Sequence, residues 1–192
     1  YFMVKAEAFE VNPVLTWILH NGGGIPVKRG KADMNAMHQV IAKVNDGYPA
    51  ALFPEGTRSP DGTLQAAYTG AVRIALHTNT PIVPAVVIGA EEMLRQIRKP
   101  WVRPQVTVRY GVPMTVIGDP ADKEQVGAET RRVMLAMAAM LPPNMRGMWG
   151  DGVGRVVGAG ETRAARTKRA ADRTIVDGGQ PSDEAERAHP LE

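Results

Sequence analysis

The stretch DMNAMHQVIAKVNDGYPAALFPEGTRS, Asp33 to Ser59, contains a complete helix, turn, strand and loop in 27 residues. Met34, Met37, Val40, Ile41 and Val44 recur at spacings of three and four, which puts them on one face of an α-helix. Asp33 stands where its carboxylate can cap the first free amides, and Gly47 ends the helix. The apolar run Ala50–Phe53 then reads as a strand, bounded by Pro49 and Pro54. It leads into Glu55-Gly56-Thr57-Arg58-Ser59-Pro60-Asp61-Gly62, a turn of small polar residues with two charges.

The same alternation continues on both sides of this unit. Tyr1-Phe2-Met3-Val4 reads as a strand already under way, from which preceding sequence is expected. Ile82–Ile88 and Val106–Tyr110 are further strands, and Val83, Val86, Val87 and Ile88 predict a central strand covered on both faces. A second long helix is expected from Pro120 to Leu141, with Asp119 as N-cap, Pro120 at its first position, and Val126, Val133, Met134, Met137 and Leu141 as its buried stripe. Pro142-Pro143 stops it. Strands alternating with helices predict an α/β domain over residues 1–144, with a mostly parallel central sheet flanked by helices. The methionine stripes are core positions rather than a ligand surface.

Beyond Asn144 repeated glycines interrupt any regular element, so residues 145–192 are expected to form a flexible Gly/Ala/Arg-rich tail. Between Arg155 and Arg173 it carries six Arg and Lys residues against Glu161 and Asp172. Such an excess allows contact with anionic lipid or RNA, although a solvated tail has the same composition.

With 192 residues the chain suffices for one globular domain with a real core. It has no cysteine, which excludes a disulfide framework and any thiolate metal site, and four scattered histidines make a metal centre unexpected. A net charge of +3 favours anionic partners. No run approaches the roughly 20 apolar residues of a membrane-spanning helix, so any membrane contact is expected to be peripheral.

Two segments carry candidate chemistry. In the Phe53–Ser59 loop, Gly56 allows close backbone approach, Arg58 supplies a planar fork for phosphate or carboxylate, and Thr57 and Ser59 offer hydroxyl donors. Glu55, as a carboxylate, repels phosphate; its expected role is to hold an arginine or accept from a substrate hydroxyl, unless it simply pairs with Arg58 across the turn. Gly22-Gly23-Gly24-Ile25-Pro26-Val27-Lys28-Arg29-Gly30 is a glycine-rich turn running into an extended piece that ends on two cations. It fits neither a Walker loop nor a dinucleotide fingerprint. Lys28 and Arg29 face opposite ways if extended, so one of them points into a site, and Arg29 is the candidate.

Together these segments resemble the 1-acyl-glycerol-3-phosphate acyltransferases and their glycerol-3-phosphate relatives. Phe2 to Glu7 is similar to the segment after that family's catalytic block, Gly23 to Arg29 to its second block, Phe53 to Ser59 to its third, and Pro81-Ile82-Val83-Pro84 with Gly89 to its fourth. The resemblance covers about Tyr1 to Pro113. It implies a glycerol-3-phosphate acyltransferase-like fold, with Arg29, Glu55, Gly56, Thr57 and Arg58 binding the acceptor phosphate. A cation common after the third block is replaced near Tyr68-Thr69-Gly70.

The family's first block, His-x-x-x-x-Asp, supplies the base that deprotonates the attacking hydroxyl. Ile25 stands five residues after His20, Lys43 after His38 and Ile82 after His77, while His189 has too little chain behind it. No catalytic residue is therefore assigned in this chain, which is expected to be inactive on its own, the block being expected upstream.

The resemblance implies transfer of a fatty acyl group from acyl-CoA or acyl carrier protein to lysophosphatidate, giving phosphatidate in phospholipid biosynthesis. It implies no metal or redox cofactor and a cytoplasmic protein held peripherally at a membrane. The alternative is a non-catalytic phospholipid or acyl-donor binding domain. A nucleic-acid binder using the basic tail is a third possibility, against which the 5% aromatic content argues.

Overall fold

The computed structural model describes residues 1–27, 33–90, 92, 101, 104–152 and 154–158. One compact unit spans Tyr1–Ala159; the remainder, including most of the basic segment Arg155–Arg173, lies outside the described residues.

Strand β1 (Phe2–Lys5) pairs in parallel with β2 (Gly24–Val27), Phe2 opposite Gly24 and Lys5 opposite Val27. The connection runs through a 3₁₀ turn and helix α1 (Pro13–Asn21), which Asn12 caps by accepting from the Leu15 amide at 2.8 Å. On its other edge β1 forms a parallel bridge from Phe2 to Ala51, where the Ala51 amide donates to the Tyr1 carbonyl at 2.7 Å. The expected Ala50–Phe53 strand is thus reduced to that bridge. Pro49 and Pro54 flank it, and proline cannot donate to a ladder.

Helix α2 (Met34–Asn45) starts at Asp33, whose carboxylate accepts from the Ala36 amide at 3.1 Å, and Gly47 follows it at φ 88°. Val40 and Ala36 are fully buried against Ile25 of β2 and Ile74, with Met37, Ile41 and Val44 around them. Met34, expected in that stripe, is half exposed, and Ala36 takes the core position. Burying Val40 completely is worth roughly 1.5–3 kcal/mol.

Strand β3 (Ala67–Tyr68) leads directly into helix α3 (Gly70–Thr78), and β3 pairs in parallel with β6 (Val156–Val157). β4 (Ala85–Ile88) and β5 (Thr107–Tyr110) form an antiparallel pair. The architecture is α/β, with parallel strand pairs flanked by helices and this one antiparallel ribbon.

The expectation of a doubly covered central strand at Val83–Ile88 does not hold. Val86 is buried, but Val83 and Val87 are about half exposed, since only one face of the ribbon packs on a helix.

That helix is α4 (Lys123–Ala139). Its N-cap is Asp122, accepting from the Glu124 and Gln125 amides, rather than Asp119. Asp119 instead closes a separate turn by accepting from the Ala121 amide at 2.7 Å, so Pro120 precedes the helix. The expected stripe is buried at Val126, Val133 and Met134, with Leu141 just past the helix end, and it also includes Thr130 and Ala138. Thr130 is accommodated because its hydroxyl donates back to the Val126 carbonyl at 2.7 Å.

The packed unit also passes the boundary expected at Asn144. Residues 145–152 and 154–158 form short 3₁₀ turns and β6, with Trp149 buried against α4 and Leu64 and Val157 fully buried. The glycines that suggested a tail here serve tight turns around one large aromatic anchor.

Candidate functional site

β1 runs parallel to both β2 and the Ala51 bridge, with Gly24, Phe2 and Ala51 level across them. The chain therefore leaves β2 at Val27 and leaves the bridge at Leu52–Phe53 toward the same sheet edge. That carboxyl-end edge is where α/β proteins place ligand loops. Lys28 and Arg29 follow Val27 and lie outside the described residues. The Phe53–Ser59 loop is described in full.

Three contacts shape this loop. The Gly56 amide donates to the Phe53 carbonyl at 3.0 Å, closing a tight turn, and the Tyr68 amide donates to the Pro54 carbonyl at 2.7 Å, tying the turn to β3. Gly56 sits at φ 61°, in the left-handed region, and a β-carbon there would stand 3.3 Å from two ring carbons of Tyr68. Glycine meets both demands because it has no side chain to strain or to collide.

Glu55 is half-buried, and its Oε2 accepts from the backbone amide of Gln65 at 2.9 Å. Arg58 is exposed, and among the described residues no hydrogen bond or ion pair reaches its guanidinium. The simple reading in which Glu55 and Arg58 pair across the turn is therefore not what the loop adopts. Thr57 is half-buried beside Arg58, and the loop sets a fork-shaped cation without a partner among the described residues next to a carboxylate bonded to backbone.

Ser59, expected as a free hydroxyl donor, is committed elsewhere. It lies within bonding distance of both the Thr63 carbonyl (2.7 Å) and Asp61 Oδ1 (2.9 Å). Asp61 also accepts from the Thr63 amide, the Thr63 hydroxyl and the Gln65 side-chain amide. The Thr63 amide first, then the Ser59 and Thr63 hydroxyls, holds the Asp61 carboxyl below its ordinary range. Asp61 and Gln65 are the supports that sequence reasoning missed. The run Ser59-Pro60-Asp61-Gly62 has the composition of a turn in which aspartate bonds backbone two residues on, and that signal was available for Asp61. Gln65 carried none.

The other motif residues play structural parts. Pro84 is buried and its carbonyl accepts from the Gly111 amide at 2.8 Å, at a strand entry where its missing N–H costs nothing. His38 and His77 are exposed on α2 and α3, and His20 stacks edge-on against Phe9 at 5.1 Å.

Residues 1–88 match the Acyltransferase family model. A chloroplastic 1-acyl-sn-glycerol-3-phosphate acyltransferase of Brassica napus is 31% identical over 96 residues, which is 49% of this chain and 28% of that protein. A 1-acyl-sn-glycerol-3-phosphate acyltransferase of Cocos nucifera is 30% identical over 132 residues, covering 68% of this chain and 42% of its own length. The chain thus spans less than half of either relative. The crystal structure of the 1-acyl-sn-glycerophosphate (LPA) acyltransferase PlsC from Thermotoga maritima superposes with a TM-score of 0.51 over 72% of this chain and 54% of that one, at 22% identity, which establishes the likeness of fold. Residues 1–88 are thus similar to the Acyltransferase family, and parts of the chain are similar to 1-acyl-sn-glycerol-3-phosphate acyltransferases, with a like fold.

Proposed function

We propose that the Phe53–Ser59 loop binds the phosphate of 1-acyl-glycerol 3-phosphate, and that this chain is the acceptor-binding part of an acyltransferase that makes phosphatidate. The observation that carries the proposal is the state of Arg58: an exposed guanidinium without a described partner, presented by a turn whose shape Gly56 and the Glu55–Gln65 bond fix. A fork of this kind accepts two phosphate oxygens at once. Arg29 is assigned to the same phosphate from its place at the end of the Gly23–Arg29 motif. Glu55 and Thr57 arrange the clamp, with Glu55 able to accept from a glycerol hydroxyl.

In the reaction the acceptor hydroxyl oxygen forms a bond to the thioester carbonyl carbon of acyl-CoA or acyl carrier protein. The carbon–sulfur bond breaks, the thiolate leaves, and the hydroxyl proton passes to a base. No histidine of this chain stands in the His-x-x-x-x-Asp spacing, so that base is not assigned to any residue here. The second reading is a domain that binds phospholipid or acyl donor without turning it over. No metal or redox cofactor enters either scheme.

Contact with a membrane surface is supported by α1, where Val14, Trp17 and Ile18 lie on one face and are 68%, 67% and 52% exposed. No described helix is long and apolar enough to cross a membrane.

Binding of lysophosphatidate in mixed micelles, measured against the 1-acylglycerol that lacks only the phosphate, tests the assignment. Selective retention of the phosphorylated ligand is expected; equal uptake of both would refute a phosphate site. Acyl transfer from acyl-CoA in the same protein separates the two readings.

A further inference from the structure

The segment after α4 is tied to the backbone that supports the site loop. The Met145 carbonyl accepts from the Leu64 amide and the Arg155 carbonyl from the Ala67 amide, each at 3.0 Å. Between these two ties the Trp149 indole N–H donates to the Gln65 carbonyl at 2.9 Å. On its other side Gln65 turns its own amide to Glu55 Oε2 at 2.9 Å. The path from a buried aromatic to the site carboxylate therefore runs through one backbone residue: Trp149, Gln65, Glu55.

Trp149 is well placed to hold that residue still. It is 2% exposed and sits in the cluster of Leu64, Ala67, Met134 and Leu141. Gly154 lies against the indole, so close that any β-carbon there would overlap the ring. An indole packed this closely has its N–H fixed in direction, and an acceptor bonded to it loses freedom with it. Gln65 occupies no regular strand, so these bonds, rather than a sheet ladder, set its orientation.

We infer that Trp149 is a positioning residue for the candidate acceptor site, holding Glu55 in place through the backbone of Gln65. The functional half of this inference rests on the acceptor-site proposal above; the coupling itself does not.

Trp149→Phe keeps most of the buried ring and removes the N–H. Loss of one hydrogen bond of ordinary strength gives a roughly two- to tenfold effect. Amide hydrogen exchange followed by NMR should therefore show the Gln65 amide exchanging about fivefold faster, with Leu64 and Ala67 unchanged after correction for global stability. Uniform acceleration across the three, or an unchanged Gln65, would overturn the inference, the first because it is what mere loss of packing produces.

Glu55→Ala, which removes the acceptor of the Gln65 amide, is the second variant, on the surface side of the same path and independent of how well the core tolerates phenylalanine. It should accelerate exchange of the Trp149 indole N–H at least twofold, and an unchanged indole also overturns the coupling.

Lysophosphatidate affinity then reads the function. Trp149→Phe should weaken it about fivefold in the wild-type background and not at all in Glu55→Ala. Equal losses in both backgrounds would mean that Trp149 does not act through Glu55. If the wild-type protein takes up no lysophosphatidate, the acceptor site itself fails, and with it the role given to Glu55; the exchange rates decide the coupling separately.

Discussion

Replacing Arg58 with alanine should separate affinity from stability. Its side chain is exposed and makes no described contact whose loss would unfold anything, so the stability change should stay within about 0.5 kcal/mol. Against a phosphate the same guanidinium forms charge-assisted hydrogen bonds, worth about 1.5–3 kcal/mol. Exposure to solvent argues for the lower half of that range. A loss of about 1.5–2 kcal/mol corresponds to a roughly 10- to 30-fold rise in Kd for lysophosphatidate. Titration calorimetry with micellar ligand, at about 50 mM and about 150 mM salt, checks both size and origin, because screening should weaken the wild type more than the variant. A Kd within twofold of wild type at both salts refutes the clamp. So does a large drop in melting temperature, which would mean that Arg58 has a structural partner.

Gly56→Ala places an L-residue at φ 61° and a β-carbon 3.3 Å from the Tyr68 ring, costing roughly 1–2 kcal/mol; acceptor affinity should fall with it, and a variant that binds normally would show the turn to be adaptable. Met134→Ala empties a fully buried position under β4 and should destabilise the fold by about 2–5 kcal/mol in urea unfolding, without entering the site. Asp61 has a carboxyl pKa depressed below 3.8 by the Thr63 amide and the neighbouring hydroxyls. Its contribution to stability is therefore complete above the unfolded value and is lost as pH falls through the lower folded value. Asp61→Asn should flatten the acid limb of a melting-temperature profile below about pH 4, and a limb of unchanged slope would show that other groups set it.

Much of the fold was legible from local pattern. Helix α2 with its Asp33 cap, the strand at Phe2, and the buried face of α4 follow from residue spacing and from which side chains can satisfy free amides. The Phe53–Ser59 loop was legible as a candidate binding turn because glycine, arginine and small hydroxyls occur there together for chemical reasons that need no tertiary context. Where the readings missed, long-range packing had overridden local signal. Val83 and Val87 are as apolar as Val86, yet only position relative to α4 decides which face is covered. Met145 to Gly152 and Gly154 to Gly158 look like a tail by composition, and one buried indole ties them to the core.

The sequence alone therefore determined the residue types of the candidate site and the α/β alternation that carries it, since both are written in short-range spacing. Only the tertiary structure decided what each polar group bonds to. Ser59 is spent on its own turn, Arg58 has no partner among the described residues, and Glu55 is held from 10 residues away by a backbone amide that Trp149, 84 residues beyond Gln65, keeps in place. The physical reason is that hydrogen-bond partners separated this far in sequence are chosen by packing, and no local preference encodes them.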